Sequence, residues 1–279
     1  MYIEIMNQII DACNGNIKPQ EGDYIGDDGL LYCGKCGTRK QTEITVMGEV
    51  KRPMCLCKCA AERREQEKQE REKREFAEKV KRYRRMGFPE SDMHSWTFAN
   101  DDGTNRRITA AMQRYVDNFS DMLKNGKGLL LHGDVGTGKT FAACEVANAL
   151  IDKGYPALVT NFNRIINTVQ SSFEKRQEHL DSLNDFPLLV LDDLGVERGS
   201  EYMLEMIYTI IDSRYRAGKP MIITTNIPIE EIKAPKNTAY SRIYDRILER
   251  CFPVAVTGRN RRKQMCRDSI DSMRELLGL

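Results

Sequence analysis

Gly128-Leu129-Leu130-Leu131-His132-Gly133-Asp134-Val135-Gly136-Thr137-Gly138-Lys139-Thr140 decides how the chain is read. A short apolar strand runs into a glycine-rich turn, and Lys139-Thr140 opens an alanine-rich amphipathic segment, Phe141 to Ile151. Gly133, Gly136 and Gly138 allow backbone conformations that a Cβ forbids, so consecutive N–H groups can point inward and cradle phosphate oxygens at a helix N-terminus. The whole turn, Gly133, Asp134, Val135, Gly136, Thr137, Gly138, Lys139 and Thr140, is therefore the candidate nucleotide cradle, a P-loop. Lys139 would reach the β and γ phosphates, and the Thr140 hydroxyl would ligate Mg²⁺.

Downstream, Leu188-Leu189-Val190-Leu191 is apolar at every position and ends in Asp192-Asp193. Such a strand is buried on both faces, as in a parallel sheet covered by helices. Carboxylates at its C-terminal end sit where doubly wound sheets bind ligands. Asp192 is read as the Mg²⁺ holder of a Walker B motif, and Asp193 as the base that orients and deprotonates the attacking water. Lys219-Pro-Met221-Ile-Ile-Thr-Thr225-Asn226 is a further apolar strand, expected between the P-loop and Walker B strands. Asn226 would then hydrogen-bond the attacking water or the γ-phosphate, although Asn226-Ile-Pro228 also fits a plain turn.

The other elements follow from periodicity. Residues 107–124 read as one amphipathic helix with Ile108, Met112, Tyr115, Phe119 and Leu123 on one face. Residues 154–160 read as a parallel strand, 161–183 as a helical stretch, 202–215 as a helix and 252–256 as the fifth strand, ahead of a short final helix. In the aromatic segment from Phe88 to Phe98, Trp96 and Phe98 are expected to be packing residues. Arg242, Arg246 and Arg250 recur at four-residue spacing and so share one helix face, which is ordinarily a solvated one. Lys175 and Arg176 are possible nucleic-acid contacts on the same terms.

The N-terminal third is built differently. Five of the nine cysteines crowd into Cys33-Gly-Lys-Cys36 and Cys55-Leu-Cys57-Lys-Cys59. A Cys-x-x-Cys turn followed by a hairpin-like insert presents thiolates to one ion, so Cys33, Cys36, Cys57 and Cys59 are the candidate Zn²⁺ ligands, with Cys55 as the alternate. Thiolate binding would also stabilise a module whose own core is small. Residues 60–86 lack Gly and Pro and are dominated by Glu, Lys, Arg and Gln, which predicts a solvated helical linker; only Phe76, Val80 and Tyr83 form a stripe that could pack. The domain expectation is a zinc module over residues 1–60, beginning with a short helix within the first twenty, then a linker over 61–86 and a nucleotide-binding domain over 87–279.

Composition limits the remaining classes. The chain has 279 residues, 41% hydrophobic and 30% charged, with a net charge of +2, so whole-chain charge does not single out a nucleic-acid binder. No run is long and apolar enough for a membrane span and no secretory signal is apparent; with clustered cysteines, this leads to the expectation of a cytoplasmic protein.

Together the motifs resemble the AAA+ helicase loaders of the DnaC/DnaI type, in their Gram-positive and phage versions, and the related IstB transposition ATPases. The resemblance rests on Gly133–Thr140, Leu188–Gly195 with Glu197, Thr224-Thr-Asn226, Arg242-Ile-Tyr-Asp-Arg246 and Gly258-Arg-Asn-Arg-Arg262, and it spans roughly residues 87 to 265. It implies an α/β core with a five-stranded parallel sheet and a reduced or absent lid, and an ATPase that self-associates. It implies that Arg246, with Arg242 beside it, is an arginine finger acting on a neighbouring copy, and that Arg262 is the second-sensor arginine. It also implies loading of a hexameric replicative helicase, gripped through the N-terminal module, onto single-stranded DNA, with hydrolysis driving release. A transposition regulator assembling on double-stranded DNA, or a DNA-binding zinc protein with a switching ATPase, are the other functions compatible with the same residues.

Overall fold

The computed structural model describes residues 18–46, 48–171, 173–195, 201–235 and 237–277. The short helix expected at the N-terminus, Glu197 and the side chain of Arg262 lie outside what it describes. The chain divides into two compact units, residues 1–77 and 78–279.

The first unit carries two small antiparallel pairs. Strand β1 (Tyr24–Ile25) pairs with β2 (Leu31–Tyr32), and β3 (Ile44–Val46) pairs with β4 (Glu49–Lys51), the latter being the hairpin expected between the cysteine pairs. Helix α1 (Lys58–Gly87) follows, and the division between units falls inside it. Its exposed part is laced by Lys68–Glu72 and Arg71–Glu75 at i,i+4 spacing. Of the expected stripe, Val80 and Tyr83 pack against the core of the second unit, whereas Phe76 is exposed.

The second unit is built on a five-stranded parallel sheet. Its strands are β5 (Gly128–His132), β6 (Ala157–Asn161), β7 (Leu188–Leu194), β8 (Met221–Thr225) and β9 (Cys251–Ala255), in the spatial order β6-β7-β8-β5-β9. Strand β8 thus lies between the Walker A and Walker B strands, as its apolar run and polar end suggested. Alternate residues of the central strands enter opposite cores. Leu129, Leu131, Leu188, Val190 and Ile222 face α2 (Arg106–Asp117) and α4 (Lys139–Asp152). Leu130, Leu189, Leu191 and Ile223 face α5 (Phe162–Ser171), α6 (Arg176–Ser182), α7 (Glu201–Arg216) and α9 (Thr238–Arg250). Burial on both faces explains the unbroken apolar runs. Pro253 stands on edge strand β9, where a missing N–H costs no ladder bond to a further strand.

Three expectations need correction. The helix over 107–124 is two helices, α2 and α3 (Phe119–Asn125), because Asn118 leaves helical geometry and turns its side-chain amide onto the Arg114 carbonyl at 2.8 Å. The stretch 161–183 is likewise broken, into α5, a 3₁₀ turn and α6. After α8 (Ile229–Lys233), α9 and β9, the final helix α10 (Arg261–Leu277) has 17 residues and is not short.

Candidate nucleotide and thiol sites

Beyond the end of β5, backbone and side chains converge on a cleft of about 770 Å³. Gly133 (φ 147°) and Gly136 (φ 82°) close the turn where no Cβ fits: one added at Gly133 would lie 2.3 Å from the Val256 carbonyl oxygen, and one at Gly136 2.2 Å from Asn260 Oδ1. Lys139 is buried at the head of α4. Its ammonium donates to the carbonyls of Gly133 (2.9 Å) and Asp134 (2.7 Å) and to Asn226 Oδ1 (2.7 Å). Thr137 Oγ1 also donates to the Asp134 carbonyl, at 2.9 Å, which tightens the loop from inside. Val135, Gly136, Gly138, Lys139, Thr140, Asp193 and Asn226 all line the cleft.

The two Walker B carboxylates are separated by a bulge. Leu191 pairs with Ile223 and Leu194 with Thr225, so Asp192 and Asp193 together oppose Thr224 alone. Asp193 takes φ 59°, a left-handed conformation that Asp tolerates better than most residues. Thr224 locks the arrangement: its hydroxyl donates to Asp192 Oδ1 at 2.6 Å and accepts from the Asp193 N–H at 2.9 Å. Burial holds the Asp192 carboxyl above the ordinary carboxylate range, opposed by hydrogen bonds from Thr224 and Thr140 and by the charge of Lys139. A divalent cation bound there would favour the ionised form. These residues fit a triphosphate with Mg²⁺: Gly133 and Gly136 leave no room for a Cβ in the cradle, Lys139 supplies the cation, and Asp192 with Thr140 supplies hard oxygen donors. When bound, the metal would neutralise developing charge on the phosphates.

The far side of the cleft contains residues that the sequence did not assign to it. Trp96 packs against the core as expected, and it also lines the cleft together with Asn100, Asp102, Phe141, Asn260 and Arg261. Trp96 leans on Phe141 at 5.8 Å between ring centroids, and the Arg261 guanidinium lies 5.9 Å from the same ring. Arg261 also donates to Asp102 at 2.9 Å, and its backbone N–H bonds the Gly136 carbonyl at 2.9 Å. The basic turn was legible; of its described arginines, Arg259 and Arg261 both line the cleft.

The three arginines at four-residue spacing do not share one environment. Arg246 is turned onto α7, 2.7 Å from Asp212 and 4.7 Å from the Tyr208 ring centroid, and Arg250 lies over Tyr215 at 4.8 Å. Arg242, one turn earlier, is exposed. Arg246 is thus an intrachain bridge between α9 and α7 within this chain.

In the first unit the sulfurs of Cys33, Cys36, Cys57 and Cys59 all lie within 4.8 Å of one another. Cys33 to Cys59 is 3.6 Å and Cys57 to Cys59 is 3.5 Å, near the edge of about 3.8 Å that a tetrahedron of 2.3 Å Zn–S bonds requires. Cys55 points elsewhere, onto the Arg39 carbonyl at 3.7 Å. Thr38 ties the two halves together, meeting Cys36 Sγ at 3.1 Å and accepting from the Lys58 N–H at 2.9 Å. The Thr38 hydrogen bond holds Cys36 down to about 5, whereas hydrogen bonding with Cys57, Cys36 and Cys33 pushes Cys59 up to about 12. Four crowded thiols cannot all ionise without a cation to compensate them, so the donor set suits a soft divalent ion. Lys40 and Asp23 form a buried ion pair beside the cluster at 2.5 Å.

A parallel sheet with an extra strand between its two Walker strands, a glycine cradle at one strand end and paired acids at another define a P-loop ATPase of the AAA+ kind. Residues 59–269 match the family described as IstB-like ATP binding protein, and the chain belongs to that family. It is 27% identical over 187 residues to the replicative helicase loader DnaI of Bacillus subtilis (strain 168), spanning 62% of this chain and 60% of that protein. It is 25% identical over 248 residues to the phage-like element PBSX protein XkdC of the same organism, spanning 86% and 89%. A crystal structure of the DnaC helicase loader superposes with a TM-score of 0.52 at 26% identity, covering 60% of this chain and all of that one. Among the described residues, no helix is long and apolar enough to cross a membrane.

Proposed function

We propose that this chain is an ATP-dependent helicase loader of DNA replication. In this reading ATP and Mg²⁺ occupy the Gly133–Thr140 cradle with Asp192, and Asp193 and Asn226 hold the attacking water. Neighbouring copies assemble through their ATPase units and hold single-stranded DNA, and hydrolysis releases it. Arg246 completes the neighbour's nucleotide site by exchanging Asp212 for phosphate, a swap of one oxyanion for another that its guanidinium fork accommodates. Arg262 acts as the second-sensor arginine. Cys33, Cys36, Cys57 and Cys59 bind one Zn²⁺, and residues 1–60 grip the hexameric replicative helicase, in the cytoplasm.

The observation that carries this reading is the similarity of the ATPase unit to the DnaC helicase loader along that structure's whole length, at 26% identity. Co-purification with the replicative helicase from the same genome, using full-length chain and chain lacking residues 1–60, tests it. Helicase retained by the full chain alone, with ATP-dependent transfer onto single strands, supports the reading. Absence of any helicase contact, with ATP-dependent filaments on duplex DNA, would replace it with a transposition-regulator role.

A further inference from the structure

Two buried oxygens beside the nucleotide cleft lack partners. Glu145 and Asn148 lie three residues apart on α4 and so are neighbours on one face of the helix. Glu145 is 2% exposed and Asn148 is fully buried, yet Glu145 Oε1 and Asn148 Oδ1 have no hydrogen-bond partner. The orientation of the Asn148 amide is fixed by chemistry. Its Nδ2 meets three carbonyls, Met93 at 2.9 Å, Trp96 at 2.9 Å and Cys144 at 3.2 Å, so the nitrogen must point there and Oδ1 is the acceptor left over. Asn148 therefore pins the segment carrying Trp96 to the Walker A helix, and Trp96 is a wall of the cleft.

Two buried acceptors on adjacent turns call for a donor between them. We infer that Glu145 carries a proton, donates it to Asn148 Oδ1, and by fixing Asn148 acts as a positioning residue for the Trp96 wall of the nucleotide cleft. The surroundings favour the neutral acid. Facing Glu145 are Asp101 and Asp102, from the loop ahead of α2, and Arg261, from the start of α10. Arg261 is committed to Asp102 at 2.9 Å and lies 3.9 Å from Asp101, while Asp101 is also held by the Thr109 hydroxyl. Burial first, then the charge of Asp101, pushes the Glu145 carboxyl up to about 8. Because this lies above the ordinary value of 4.5, the stabilising contribution of the neutral acid is complete below about pH 4.5 and is lost as pH rises through about 8. Ionisation would leave two carboxylate neighbours and an acceptor facing a new negative charge, and the wall would loosen.

The chain has a single tryptophan, so emission of the full-length protein reports on this wall directly. Emission without nucleotide, and the KM for ATP, are to be followed between about pH 6.5 and about pH 9.5 for the native chain and for Glu145→Gln. The side-chain amide introduced by Glu145→Gln does not titrate, so its N–H can donate to Asn148 at every pH. The native protein should show a red shift and a several-fold rise in KM across this window, with kcat changing less. The Glu145→Gln protein should keep the neutral-pH emission and KM throughout. A transition of the same size in both proteins, or none in the native one, overturns the inference. Emission is read without nucleotide or helicase, so this outcome is separate from that of the loader reading.

Discussion

The thiol cluster and the nucleotide cleft hold their functional atoms by opposite means. Around the cleft, the central strands β5, β7 and β8 are buried along nearly their whole length, and the cradle sits at the end of a sheet that two cores enclose. Around the thiols the strands are two or three residues long, and Tyr24, Ile25 and Val50 are exposed. In the second unit hydrophobic burial defines the geometry and the ligand meets a prepared site. In the first, apolar burial is slight, and on the proposed reading coordination of a metal by the four thiols would supply folding free energy.

Metal removal should divide the two regions most strongly. Chelation, or Cys36→Ser, should remove a contribution on the order of 10–16 kcal/mol from the first unit, abolish its far-UV and exchange-protected structure and leave the ATPase unit's melting transition in place. Metal analysis should return about one zinc per folded chain, and a protein that folds fully with titratable thiols and no metal breaks the comparison. Next in size, if Asp193 is the base as proposed, Asp193→Asn should lower kcat by about 10²–10⁴-fold while ATP binding by calorimetry is retained, because the cradle is untouched. Lys139→Ala should instead remove the binding heat itself. Leu130→Ala opens a void in a fully buried strand and should cost about 2–5 kcal/mol of ATPase-unit stability in denaturant titration. The smallest effect belongs to α1: Glu72→Ala deletes an exposed partner of Lys68 and should change stability by less than about 0.5 kcal/mol.

Much of the cleft was legible because its chemistry is local. The glycines, Lys139 and Thr140 lie within eight residues, and a strand entering a helix leaves the chain few ways to arrange them. The apolar run before Asp192 likewise declared a strand covered on both faces. What escaped was long-range. Trp96 packs against the core as an aromatic there should, but that it also walls the cleft was hidden because its partner Phe141 lies forty-five residues away in sequence. Arg246 looked like a free member of an arginine face because nothing in its own helix reveals Asp212 and Tyr208 on α7.

By itself the sequence determined the phosphate cradle, the order of strands and acids that serves it, and the presence of a cysteine-rich module, since each rests on residue types a few positions apart. Tertiary structure brought together the four thiols the spacing favoured and left Cys55 aside, and it alone decided that Asp193 sits in a left-handed bulge opposite Thr224 and that Arg261 reaches the cleft. The physical reason is range. Backbone sterics and hydrophobic periodicity act over a few residues and can be read along the chain, whereas a hydrogen bond or ion pair between distant residues exists only once packing has brought them together.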